Sequence, residues 1–243
     1  MSQSKRLFFA INLPSQTKEA LADIQNKIRS KNQRVDAKWV DPQIIHLTLH
    51  FWGWVNEDKL DILKNLIVRA LVNIIPQEVR LGHLGGFPNL QKPRVIWVAL
   101  EEGPVAECAF VTKSRRSERG EGKKSQEYTQ YISRFFTEPQ PLVRDCSRNG
   151  IRQQAPEGSD GVLKQIHARL KETLLNAGFE VDMRPWQAHL TLARLRMSQP
   201  LQGLNDVRVP QISWRINGVE LMESILHREG PEYQVLYSQS LCP

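Results

Sequence analysis

Apolar and polar residues alternate along this chain with two periods, and the switches between them mark its elements. "RLFFAINLP" at 6–14 is a short apolar run closed by Pro14, which predicts a buried strand. The next segment, 15–30, repeats its apolar residues at Ala20, Leu21, Ile24 and Ile28, the stripe of an amphipathic helix with Ser15 as its N-cap. "KWVDPQIIHLTLHFWGW" follows as a strand punctuated by Asp41-Pro42 before it and Gly53 within it. A second amphipathic helix covers 57–74, and strands are predicted at 78–87 and 94–100. The order in this half is β-α-β-α-β-β.

The far half opens on a helix at 161–180, with Val162, Ile166, Leu170 and Leu174 in its stripe and Gly178 ending it. Strands are predicted at "QAHLTLARL", "VRVPQISWRI", "GVELMESIL" and "YQVLYSQSL". Each half thus carries a helix, a His-containing strand and further strands, an imperfect duplication too long in period for a solenoid. Between the halves, residues 104–160 hold scattered prolines, mixed charge and no sustained apolar period. Their composition predicts a solvated, partly disordered insertion, with "EYTQYISRFF" as a short helix or strand inside it.

The duplication centres on "HLTLHF" at 46–51 and "HLTLAR" at 189–194. In a strand, His46, Thr48 and His50 share one face and Leu47, Leu49 and Phe51 the other; His189, Thr191 and Ala193 oppose Leu190 and Leu192 in the same way. The leucines face a helix-covered core. The His/Thr face must then be solvated, paired or lining a groove. A His and a Thr two residues apart stand ~6.6 Å apart along a strand, a separation suited to two oxygens of one phosphate. Two such strands across a cleft supply one neutral imidazole to take a proton from water. They also supply a protonated imidazole for the leaving oxygen, and two hydroxyls for the non-bridging oxygens. His46 and His50 have the spacing of a helical zinc pair, but on a strand that spacing is ~13 Å, too far for one ion. No metal is therefore expected. His50, which has Ala193 as its counterpart, stays outside the catalytic set as a groove-rim or structural residue.

Composition adds context. The net charge of +7 in 243 residues tilts the expected partner toward polyanions such as nucleic acid. Cys108, Cys146 and Cys242 form no CxxC pair and argue against a disulfide framework or a zinc site. No run reaches the ~20 apolar residues of a membrane span, and the N-terminal run is broken by Asn12 and Pro14, so a cytoplasmic protein is expected.

The paired HLTL motifs resemble the signature of the 2H phosphoesterase superfamily. The flanking stretches "RLFFAINLP", "KWVDPQIIHLTLHFWG", "GGFPNLQKPRVIWVAL" and "ELMESILHREGPEYQVL" are similar to the bacterial and archaeal RNA 2′,3′-cyclic phosphodiesterases, also called 2′–5′ RNA ligases. The resemblance implies an α+β, bilobal fold, with two pseudo-symmetric lobes, each an antiparallel sheet with outer helices, around a central cleft. It implies a single domain over 1–243, interrupted by the insertion, acting as a monomer without a cofactor. The implied reaction is hydrolysis of RNA 2′,3′-cyclic phosphate ends, those of tRNA halves included, to 2′-phosphomonoesters, with reversible 2′–5′ ligation. By the same resemblance His46 is the proton donor, His189 the proton acceptor, and Thr48, Thr191 and Arg194 bind substrate. An unbroken strand would point Arg194 to the leucine face, so its use requires a twist, a bulge or an approach from the cleft rim. Phe9 and Trp52 are the aromatic candidates for stacking on a base. Two other readings share these residues: a non-catalytic RNA-binding module, and a phosphodiesterase for a small cyclic nucleotide.

Overall fold

A computed structural model describes residues 4–102, 161–228 and 230–241. The expected insertion at 104–160, the element at "EYTQYISRFF" and all three cysteines lie outside the described residues. Three helices, α1 (Ser15–Lys31), α2 (Leu60–Leu71) and α3 (Val162–Asn176), accompany nine strands. The strands are β1 (Ser4–Asn12), β2 (Ala37–Trp39), β3 (His46–Asn56), β4 (Glu78–Phe87), β5 (Val95–Glu102), β6 (His189–Leu195), β7 (Ser213–Arg215), β8 (Gly218–Leu226) and β9 (Pro231–Ser240). All described pairings are antiparallel, so the fold is α+β, as the resemblance implied.

The helical stripes are buried where the period placed them. Leu21, Ile24 and Ile28 of α1 and Val162, Ile166, Leu170 and Leu174 of α3 enter one core with Leu47, Leu49, Leu190 and Leu192. Gly178, at φ +76°, ends α3 in a Schellman motif, with Phe179 N donating to Leu174 O and Gly178 N to Leu175 O. Ser15 does not cap α1; Pro14 occupies the cap position and no side chain bonds the first turn. The Asp41-Pro42 punctuation forms a turn at Pro42–Ile44 just before β3, where the Asp41 carboxylate accepts from Gln43 N at 2.9 Å. Of "VRVPQISWRI" only Ser213–Arg215 pairs, because Pro210 removes a ladder donor.

Strand order is β7-β4-β5-β6-β3-β1-β8-β9, with β2 also on β6. The two HLTL strands are therefore central neighbours, joined by the single pair Leu47↔Leu190. On either side of that seam the chain repeats itself: β1 and β3 with α1 between them match β5 and β6 with α3 between them. The halves also exchange strands. β4 pairs with β5, the first strand of the second repeat, and β8 returns to pair with β1, the first strand of the first repeat.

Two side chains tie these halves together beside the motifs. Buried Gln25 of α1 donates to Leu192 O of β6 at 2.9 Å and to Val40 O at 2.7 Å. Trp186 Nε1, on the segment entering β6, donates to Thr48 O of β3 at 3.3 Å. Replacing Gln25 by Leu leaves the Val40 carbonyl without this donor and should cost about 1–3 kcal/mol in a denaturant titration. A change below about 0.5 kcal/mol would show that the tie carries no stability.

Candidate active site

Each motif strand contains a bulge, and the bulges decide what reaches the cleft. In β3 the register runs Phe9↔His50 then Ala10↔Thr48, leaving Leu49 as the extra residue. In β6 it runs Ile96↔Ala193 then Trp97↔Thr191, leaving Leu192 extra. Beyond each bulge the alternation is inverted. Arg194 consequently joins His189 and Thr191 on the cleft face, and Phe51 joins His46 and Thr48. His50 takes the opposite course: it is buried, its Nε2 lies 3.3 Å from Glu180 O and its ring packs on Trp52 at 4.6 Å. His50 is thus a structural residue on the helix side of the sheet, not on the face shared by His46 and Thr48.

The cleft has a volume of about 980 Å³ and is lined by His46, Thr48, His189, Thr191 and Arg194 together with Arg6, Phe8, Lys38, Phe51 and Tyr233. The pair Leu47↔Leu190 sets His46 level with Thr191 and Thr48 level with His189. The two histidines are then diagonal neighbours, whose Cα atoms stand roughly 7–8 Å apart in an ideal ladder.

Both imidazoles are held alike. His46 Nδ1 lies 2.9 Å from Ile44 O, and His189 Nδ1 lies 2.8 Å from Gln187 O, each two residues upstream. A carbonyl oxygen only accepts, so Nδ1 carries the hydrogen in both rings and Nε2 is the atom offered to a ligand. Aromatic neighbours fix the ring planes. Phe8 and Tyr233 each lie 4.9 Å from His46, while Phe87 at 5.2 Å and Trp97 at 6.0 Å flank His189. Trp97 crosses β4 at Gly85, where any Cβ would meet its ring. Burial pushes the pKa of both histidines below 6.5, against the hydrogen bonds to Ile44 and Gln187, and the charges of Lys18 and Arg194 add to the lowering at His46 and His189 respectively. Both rings are neutral at pH 7, each with an Nε2 lone pair for a proton.

Sequence reasoning misplaced the aromatic surface. Phe9 and Trp52 pack on one another at 4.9 Å in the core, away from the cleft. Phe8, Phe51 and Tyr233 are the aromatics that line it. The parity of β1 offered a signal for Phe8, since Phe8 alternates with Phe9. Nothing local foretold Phe51, whose side is set by the bulge.

The model of the LigT-like phosphoesterase family matches residues 11–97 and 155–233, more than half of the chain. The chain belongs to the LigT-like phosphoesterase family. An RNA 2′,3′-cyclic phosphodiesterase of Thermus thermophilus is 28% identical over 240 residues, which cover 97% of this chain and 90% of that protein. One from Methanocaldococcus jannaschii is 32% identical over 128 residues, covering 53% of this chain and 69% of that protein. Alignments with the relatives of that name from Aquifex aeolicus and Methanothermobacter thermautotrophicus span about half of those proteins, 47% and 51%. Among solved structures, TT0787 of Thermus thermophilus superposes with a TM-score of 0.59 at 25% identity, covering 97% of both chains. Escherichia coli LigT in its apo form gives 0.59 at 21% identity over the whole of both chains, a likeness of fold. As a LigT-like phosphoesterase this protein is a hydrolase, and its antiparallel sheet with few helices matches the fold of these solved structures.

Behind the cleft, on the helix side, the His167 ring stacks on Trp186 at 4.4 Å, and burial together with the charge of His50 lowers its pKa to about 4. Burial also lowers that of His50. A histidine whose folded pKa lies below its unfolded 6.5 binds fewer protons when folded, so its stabilising effect is lost as pH falls from about 6.5 toward 4. The urea midpoint should therefore fall between pH 7 and pH 4.5, and His167→Gln should flatten part of that decline. An unchanged slope in the variant would assign the acid sensitivity elsewhere.

Proposed function

We propose that this protein hydrolyses RNA 2′,3′-cyclic phosphate ends to 2′-phosphomonoesters by acid–base catalysis between His46 and His189, as a single domain over 1–243 that carries 104–160 as an insertion. The observation that carries the proposal is the matched pair of Nδ1-pinned imidazoles, each level with the other motif's threonine in one cleft. The names of the relatives supply the substrate class.

In this reading neutral His189 Nε2 takes a proton from water as the water oxygen attacks phosphorus. The P–O3′ bond breaks, and protonated His46 Nε2 gives its proton to O3′, leaving the phosphate on O2′. The Thr48 and Thr191 hydroxyls and the Arg194 guanidinium hold the non-bridging oxygens, where negative charge grows. The anionic substrate itself raises the proton affinity of His46, which is neutral in the free protein. With an RNA 5′-hydroxyl in place of water, the same proton transfers join two ends through a 2′–5′ bond.

An oligonucleotide with a 2′,3′-cyclic phosphate should be converted to the 2′-phosphate in the presence of EDTA. His46→Ala and His189→Ala should each lower kcat by about 10²–10⁴-fold. Full activity in either variant would overturn the paired mechanism. The pH profile is a separate test. The base fails when protonated, the acid fails when deprotonated, and both free-protein pKa values lie below 6.5. The bell-shaped kcat/KM curve should therefore peak below about 6.5, and a peak above pH 7 would contradict the neutral pair.

A further inference from the structure

The cleft holds more positive charge than one cyclic phosphate requires. That group carries a single negative charge, and Arg194, whose field reaches His189, answers it. Arg6 and Lys38 also line the cleft, and among the described residues neither has a carboxylate partner within ion-pair distance. The two acidic residues of the lining are otherwise engaged: Asp41 accepts from Gln43 N, and Glu232 pairs with His227 at 3.0 Å. Lys38 is exposed and well hydrated, but Arg6 is half-buried. Its Nη1 reaches only Ser224 Oγ, at 3.5 Å, and its guanidinium lies 4.8 Å from the centre of the Phe51 ring. The adjacent residue makes the contrast: Lys5, on the other face of β1, meets Glu223 at 2.7 Å. A half-buried cation without a counter-ion is costly unless an anion arrives.

Its position suits one particular anion. Phe8 and Arg6 alternate on β1 and so share the cleft face, ~6.6 Å apart along the strand. Phe8 packs on His46 at 4.9 Å and faces Phe51 at 6.1 Å, so Arg6 stands one step beyond the ring that backs His46. The Tyr233 hydroxyl feels the charges of both Arg6 and Arg194, which places the two guanidiniums around one volume. Within a terminal nucleotide, the 5′-phosphate and the cyclic phosphate are likewise separated by one ribose backbone repeat.

We infer that Arg6, held over Phe51 and beside Ser224, forms a second phosphate subsite that takes the 5′-phosphate of the nucleotide whose cyclic phosphate lies between His46 and His189. The inference rests on the hydrolase reading above and narrows its substrate class: the site selects ends that continue 5′ into a phosphodiester over bare nucleoside cyclic phosphates. Guanidinium and phosphate match as a bidentate pair, and an aromatic shelf beside a backbone cation is how single strands are held.

The test compares adenosine 2′,3′-cyclic phosphate with its 5′-phosphorylated form, in steady state, with wild type and Arg6→Gln. Wild type should favour the 5′-phosphorylated substrate by about 10-fold or more in kcat/KM, chiefly through KM. In Arg6→Gln the two substrates should fall within about twofold of one another. Taking the ratio within each variant cancels any general loss of activity or folding. A wild-type ratio near one, or a ratio that survives in Arg6→Gln, would overturn the subsite while leaving the hydrolase intact. Turnover of neither substrate by wild type would instead refute the hydrolase reading itself.

Discussion

The site depends on one contact between the two halves, the pairing of Leu47 with Leu190 at the seam of the sheet. Both leucines are fully buried, so the register is held by the core and not by the polar face. A slip of one residue would carry His46 and Thr48 into the helix-covered side and turn two leucines toward water. Losing either leucine from that core costs about 2–5 kcal/mol by the usual cavity arithmetic. The geometry of the cleft is thereby made a by-product of hydrophobic packing: the leucines choose the face, and the histidines inherit it.

The bulges then turn a symmetric frame into an asymmetric site. Each motif gains one extra residue at the same place, Leu49 in one strand and Leu192 in the other, so equivalent positions two residues later reach the cleft. One carries Phe51 and the other Arg194. Up to the threonines the two sides are interchangeable, including the carbonyl that pins each Nδ1. After them one side offers a ring and the other a charge. The two ends of the cleft therefore differ in chemistry, a difference that the repeat alone does not have.

Much of the fold was legible because its signals are local. The stripes of α1 and α3, the Gly178 terminator and the period-two alternation at 46–49 each follow from residues within a few positions of one another. What was missed is non-local. Phe9 and Trp52 read as well for stacking as Phe8 and Phe51 did, until the register of β1 against β3 is known. His50 shares parity with His46 in the sequence and loses it at a bulge that no residue of HLTLHF announces. The turn at Pro42–Ile44 belongs with the local signals, since Asp41-Pro42 announces it just before the strand. That the two motif strands are neighbours in one sheet rests on a pairing between Leu47 and Leu190, 143 residues apart, which no window of sequence contains.

The exchange of strands between the halves has a consequence for how the chain comes into being. Lys5 of β1 and Glu223 of β8, which meet across the sheet, are 218 residues apart in sequence. At the ~5–20 residues per second of chain synthesis, β1 waits roughly 10–40 seconds for its second neighbour. Through that interval β1, β3 and the first helix can assemble, but the wall that carries Ser224 and Tyr233 does not yet exist. β1 is thus committed to a partner made much later, and the cleft stays open until β8 and β9 have been synthesised.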